Sequence, residues 1–185
     1  MTLKNSGTCA NENGNIMEKL IDTTLLHHRY AEIIKSRFLV ATYLGQPIFA
    51  RQFHLGRSIY QTDLFCDFII YHPDKFPDCL IIESKWQQSS GSVDEKFPFL
   101  VNNLKQAGGP AAVIILDGGG YQPQAESWLR AQPDEKLLHV FCLSEFKNAA
   151  NSRNLLPARR PGKQKRAPPA APLTSPLRVI ARPNG

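Results

Sequence analysis

The sequence has no run of 18 apolar residues, so it offers nothing that could cross a bilayer as a helix. Its first fifteen residues, MTLKNSGTCANENGN, lack the apolar stretch that a secretory signal needs, and a cytoplasmic location is expected. Cysteine is scarce and unpatterned. No two of Cys9, Cys66, Cys79 and Cys142 have zinc-knuckle or redox spacing, and two of them lie in apolar, strand-like runs. They read as small buried hydrophobes of a reducing compartment, not as a disulfide framework. The five histidines also lack ligand spacing. Acidic residues are missing from one whole region. Residues 151–185 contain eight Lys/Arg and no Asp or Glu.

That last absence explains the net charge of +6, because removing the region leaves fourteen basic against sixteen acidic residues. The same region holds seven of the fourteen prolines, a composition that opposes packing. Three parts are therefore expected: a flexible N-terminus over 1–14, one domain over 15–150, and a disordered, basic, Pro-rich tail over 151–185. At 185 residues, 42% hydrophobic and 21% charged, the chain has material for one ordinary core. A basic tail beside a nucleic-acid enzyme adds phosphate contacts without reading sequence.

Asn15 and Glu18 have the form of a capping box, followed by Met17, Leu20, Ile21 and Leu25 at helical spacing. Tyr30, Ile33, Ile34 and Phe38 continue that spacing, with Asp22-Thr23-Thr24 as a candidate break between two helices. Phe38–Tyr43 and Gln46–Phe53 around Gly45 resemble a hairpin. Strands are expected over Leu64–Tyr71 and Cys79–Gln87, joined by a loop over 72–78 with two prolines. Ser92 and Glu95 suggest a second capping box, with Pro98 in the first turn of a helix to Ala107. Ala111–Leu116 is uninterrupted and apolar, as in a strand buried on both faces. Gly118-Gly119-Gly120 then turns the chain into a helix near Pro123; it lacks the Lys-Ser/Thr of a phosphate loop. Leu137–Cys142 is a last strand, with Ser144 capping a final helix. The expected class is α/β, a mixed central sheet flanked by helices.

Within that sheet, alternation puts Glu83, Lys85 and Gln87 on one face and Ile82, Ser84 and Trp86 on the other. Trp86 is read as core. Asp67 lies on the preceding strand among Phe65, Cys66, Phe68, Ile69 and Ile70. A hairpin through the 72–78 loop would bring Asp67 to the same edge as Glu83. Two carboxylates and a lysine suit phosphodiester hydrolysis, since Mg²⁺ takes one or two carboxylates plus substrate phosphate and lowers the pKa of a bound water. Lys85 could orient or deprotonate that water and neutralise charge on the phosphate, and Gln87 could hold the lysine or the nucleophile. Arg51, Gln52, His54, Arg57 and Lys96 are candidate DNA contacts.

The run Cys66-Asp67-Phe68-Ile69-Ile70, a loop, and Ile81-Ile82-Glu83-Ser84-Lys85-Trp86-Gln87 resembles the PD-(D/E)xK nuclease superfamily. The resemblance extends over roughly residues 25–150 and is sharpest in 63–88. It implies a restriction-endonuclease-like αβββαβ core and divalent metal, Mg²⁺ with Mn²⁺ as a substitute. Asp67, Glu83 and the Ser84 carbonyl would be metal ligands, with Lys85 as the catalytic lysine. Glu32 matches the glutamate that many members carry on an N-terminal helix. Cys66 stands where the motif has Pro, Asp63 is an alternative metal aspartate, and Pro73-Asp74 and Pro77-Asp78 read as turns. The implied activity is metal-dependent cleavage of DNA, of restriction, homing or junction and repair type, by a homodimer or higher homo-oligomer. The alternative is an inactive nucleic-acid-binding module of the same fold.

Overall fold

A computed structural model describes the backbone of residues 6–88, 93–106 and 109–152, with side chains from residue 16 onward except that of residue 93. The expected tail beyond Ser152, the cap residue Ser92 and the Gly108 stop lie outside the described residues. No described helix is long and apolar enough to cross a membrane.

The elements run α1 (Ser6–His27), β1 (Ala31–Glu32), α2 (Phe38–Ala41), β2 (Ile48–Arg57), β3 (Asp63–His72), β4 (Phe76–Trp86), α3 (Val93–Gln106), β5 (Ala111–Asp117), α4 (Pro123–Arg130), β6 (Leu137–Cys142) and α5 (Leu143–Asn151). The strands form one six-stranded sheet in sequence order. β2, β3 and β4 are antiparallel neighbours, whereas β1 joins β2, and β5 joins β4 and β6, in parallel. This is the expected mixed sheet of a restriction-endonuclease-like fold.

The sheet is covered on both faces. On one, Met17, Ile21 and Leu25 of α1 and Phe146 of α5 pack on Phe49, Phe68, Leu80, Ile82 and Val113. On the other, Phe38, Phe97, Val101, Leu104 and Leu129 from α2, α3 and α4 pack on Ile69, Ile81, Ile114 and Val140. Val113, Ile114 and Ile115 alternate between these cores, which is why β5 is apolar without interruption.

Several expectations for the first fifty residues are corrected. α1 starts at Ser6, so Asn15 lies inside the helix and caps nothing at its start. The helix also passes through Thr23 and Thr24, whose hydroxyls donate to the carbonyls of Lys19 (2.8 Å) and Leu20 (2.7 Å) and so remain compatible with it. It ends at His27, leaving Glu32 on the two-residue strand β1 instead of a helix. The Phe38–Tyr43 strand is instead helix α2 and a 3₁₀ turn, Thr42–Leu44, closed by Gly45 in the left-handed region (φ 64°). Gly45 does turn the chain, but Phe38 and Ala41 need helical spacing to face the core together.

Later elements match more closely. The β3–β4 loop is tighter than expected, since Phe76-Pro77-Asp78 already belong to β4. Pro98 is the sixth residue of α3 and not in its first turn, so the Asp94 carbonyl lacks the usual i+4 N–H. α5 is capped by Cys142, not Ser144. The Cys142 sulfur accepts from the Glu145 N–H (3.4 Å), and the Glu145 carboxylate accepts from the Cys142 N–H (2.6 Å). Among the described residues Cys66, Cys79 and Cys142 are free thiols, as their spacing suggested.

Candidate active site

β3 and β4 travel together only part of the way. Their register runs through Ile70↔Leu80, Ile69↔Ile81 and Phe68↔Ile82. Past that pair β3 continues against β2 (Phe53↔Cys66, His54↔Phe65), while β4 continues against β5 from Glu83↔Ile114 to Trp86↔Asp117. The sheet therefore forks between Asp67 and Glu83-Ser84-Lys85. Strand edges at such a fork carry backbone donors without a ladder partner. Asp67 Oδ2 bridges the gap, accepting from the Ser84 N–H at 2.8 Å and from Ser84 Oγ at 2.9 Å. Alternation put Ser84 on the face opposite Glu83, yet its hydroxyl meets Asp67 because that carboxylate reaches across the fork.

Three expected residues come together here. Lys85 Nζ donates to Glu83 Oε2 at 2.8 Å and to the Ser84 carbonyl at 3.0 Å, and lies 3.7 Å from Asp67 Oδ2. Glu83 is only 5% exposed. Burial holds its carboxyl above the usual range and Asp67 adds to that, against the pull of Lys85. Burial acts to lower the Lys85 ammonium, but Glu83 and Asp67 outweigh it and keep the group above an ordinary lysine. Lys85 is thus a charged partner to both carboxylates.

Asp63, the alternative aspartate, is placed elsewhere. It sits at the far end of β3, 3.2 Å from His54 Nε2 and 3.1 Å from an Arg57 amino group. Gln52 lies between the Arg51↔Phe68 and Phe53↔Cys66 pairs, and its Nε2 approaches Asp67 Oδ1 at 3.4 Å. Its backbone is left-handed (φ 47°), a conformation that a glutamine adopts only against strain. Gln52 thereby belongs to the carboxylate cluster. Arg51 is held by Asp22 (2.5 Å) and Glu32 (3.4 Å), and its guanidinium lies over Phe68. Lys96 is exposed on α3.

Gln87 is 5% exposed, and its side-chain amide donates to the Gly120 carbonyl at 2.9 Å. Its main chain pairs with the same turn, donating to Asp117 O and accepting from Gly120 N. Gly118 in this turn has φ 103°, and a Cβ there would fall 2.3 Å from the Gln87 carbonyl oxygen. Only glycine fits that approach. Tyr121, from the same loop, donates its hydroxyl to the carbonyls of Lys85 and Asp117. Gln87 and the glycine-rich turn thus lock the end of the strand that carries Glu83 and Lys85.

Sequence reasoning missed Glu18, Asp22 and Tyr121. Glu18 is half-buried on α1, where burial and then the charge of Asp67 raise its pKa, with Arg51 and Lys85 opposing. Glu18 thus feels the charges of Asp67 and Lys85 from α1, while Glu32 lies on β1 with its carboxylate 3.4 Å from Arg51. The available signal was the i, i+4 spacing of Glu18 and Asp22 along the Met17/Ile21/Leu25 stripe.

Among the described residues, no three or more His, Cys, Asp or Glu side chains are placed to hold a metal by themselves. The donor set nevertheless fits a hard divalent cation that retains water. The carboxylates of Asp67 and Glu83 and the carbonyl of Ser84 all lie around one cation, the Lys85 ammonium.

A family model described as a PD-(D/E)XK nuclease superfamily domain matches residues 9–154. No curated protein and no solved structure matches the chain.

Proposed function

The chain belongs to the PD-(D/E)XK nuclease superfamily, and from that premise we propose that it is an Mg²⁺-dependent endonuclease that hydrolyses DNA phosphodiesters. One observation carries the reading: Asp67, Glu83 and Lys85 converge where β3 and β4 part. Asp67, Glu83 and the Ser84 carbonyl are the residues that would hold the metal. When bound, Mg²⁺, or Mn²⁺ in its place, withdraws charge from the scissile phosphate and lowers the pKa of a coordinated water.

The remaining roles fall to the protein. Lys85 offers an ammonium to the phosphate oxygens and orients the attacking water. Ser84, through its N–H and hydroxyl, fixes the rotamer of Asp67. Gln52 steadies the other oxygen of that carboxylate. Gln87 and Tyr121 act as positioning residues, because they hold the backbone at Lys85 and not the substrate. His54 and Arg57 on the outer part of β2, and Lys96 on α3, are proposed phosphate contacts. Arg51, half-exposed and bonded to Asp22, is proposed to tie α1 to β2. The basic region 151–185 would add salt-dependent affinity. Duplex cleavage by a homodimer would supply one centre per strand.

The test is nicking of supercoiled plasmid and mixed genomic DNA with Mg²⁺. Cleavage should disappear with chelator and fall by a factor of about 10² to 10³ or more in Lys85→Ala and Glu83→Ala. A folded protein that binds DNA but cuts none of these substrates with Mg²⁺ or Mn²⁺ would instead be an inactive binding module.

A further inference from the structure

We propose that Lys85 is an internal counter-ion which competes with the divalent metal for one set of oxygens, so that metal loading releases the lysine toward the phosphate. The inference rests on the metal reading of Asp67, Glu83 and Ser84 given above.

The argument is geometric. The Lys85 ammonium has its two shortest contacts with Glu83 Oε2 (2.8 Å) and Ser84 O (3.0 Å), and its third oxygen neighbour is Asp67 Oδ2 (3.7 Å). These are the three groups that a hard cation would use. A divalent ion bound to them would sit about 2.0–2.1 Å from each oxygen. An ammonium at its present hydrogen-bonding distances would then be in direct contact with a dication. Two cations cannot share that space, and the flexible four-carbon stem of lysine gives the ammonium a way out.

The surroundings make the competition one-sided. Glu83 is buried, so its carboxylate form needs a positive partner, either the ammonium or a metal. Asp67 is tied to Ser84 by two hydrogen bonds and stays in place whichever cation is present. The backbone of Lys85 is anchored through the Tyr121 hydroxyl, so only the side chain has to move. Displacement turns the ammonium from ligand-neutralising to substrate-facing without rearranging the strand. Lys85 would then be available to the phosphate only at a centre whose metal is in place.

Two measurements without DNA test this on the full chain. Mn²⁺ titration by calorimetry should give tighter binding in Lys85→Met than in the wild type, by about tenfold or more, because the competing cation is gone. Glu83→Gln should weaken Mn²⁺ binding. In the wild-type protein, which carries no folding question, amine-reactive labelling read by mass spectrometry should find Lys85 protected without Mn²⁺ and more reactive with it. Equal or weaker Mn²⁺ binding by a folded Lys85→Met overturns the competition while leaving the metal site standing. So does Lys85 labelling that Mn²⁺ leaves unchanged. No Mn²⁺ binding by either protein overturns the metal reading as well.

Discussion

The two halves of the sheet are built for different tasks. In the parallel half, β4 carries buried Leu80, Ile81 and Ile82, and β5 is buried from Ala112 to Leu116, with helices over both faces. In the antiparallel half, β2 is buried only over Ile48–Ala50, and beyond that it alternates toward solvent along with the start of β3. Glu83 and Lys85 come from the rigid half, Asp67 and Gln52 from the open half, and the site lies at the fork. A precise carboxylate–lysine pair needs an apolar strand to hold it. A substrate the size of a nucleic acid needs polar strands that reach solvent. Joining the two at one split lets a single sheet supply both.

That contrast can be broken most severely in the parallel half. Ile114→Ala, at a fully buried position opposite Glu83 in the register, should cost about 2–5 kcal/mol in denaturant unfolding. Phe65→Ala in the open half, where the residue is 46% exposed, should cost well under half of that. Equal costs would remove the distinction between the halves.

A smaller effect is expected from Gly118→Ala. The added Cβ meets the Gln87 backbone, not a flexible side chain, and the residue keeps a positive φ. A loss of about 1–3 kcal/mol is expected. Nuclease activity should fall by more than the unfolded fraction explains, because the shift passes along β4 to Lys85. Loss of stability with unchanged specific activity would limit the turn to a structural role.

The smallest effect concerns a surface pair that contrasts with Glu83 and Lys85. Asp134 is bonded to Lys105 (2.8 Å) and to the Leu137 and Lys136 N–H groups, which pull its carboxyl down to about 2. A depressed acid stabilises the fold above its ordinary pKa, 3.8, and loses that contribution as pH falls through about 2. The side chain is 43% exposed, so solvent screening keeps the gain under about 1 kcal/mol. Asp134→Asn should therefore lower stability slightly at neutral pH, with the difference from wild type closing on acidification. A difference that persists below pH 2 would point to lost hydrogen bonds instead of charge.

Patterns confined to one element were legible in the sequence by itself. The apolar run of β5, the β3–β4 hairpin, the helix at Pro123 and the spacing of Glu83 from Lys85 follow from side-chain periodicity and chain geometry, which act over a few residues. The triplet and its upstream aspartate also pointed to the superfamily whose model matches residues 9–154. Contacts between elements decided the rest. Residues 30–45 have an apolar pattern that suits a helix or a strand, and only docking against the sheet made them an edge strand followed by short helical turns. Asp63 and Asp67 were both open as the metal aspartate because both lie on one strand. The fork past Phe68↔Ile82 leaves Asp67 beside Lys85 and Ser84, and Asp63 with His54 and Arg57. Gln52 and Tyr121 entered the site the same way, from a neighbouring strand and a loop. Periodicity tells which side chains share a face of one element, but only the packing of elements brings polar atoms from distant parts of the chain within hydrogen-bonding reach.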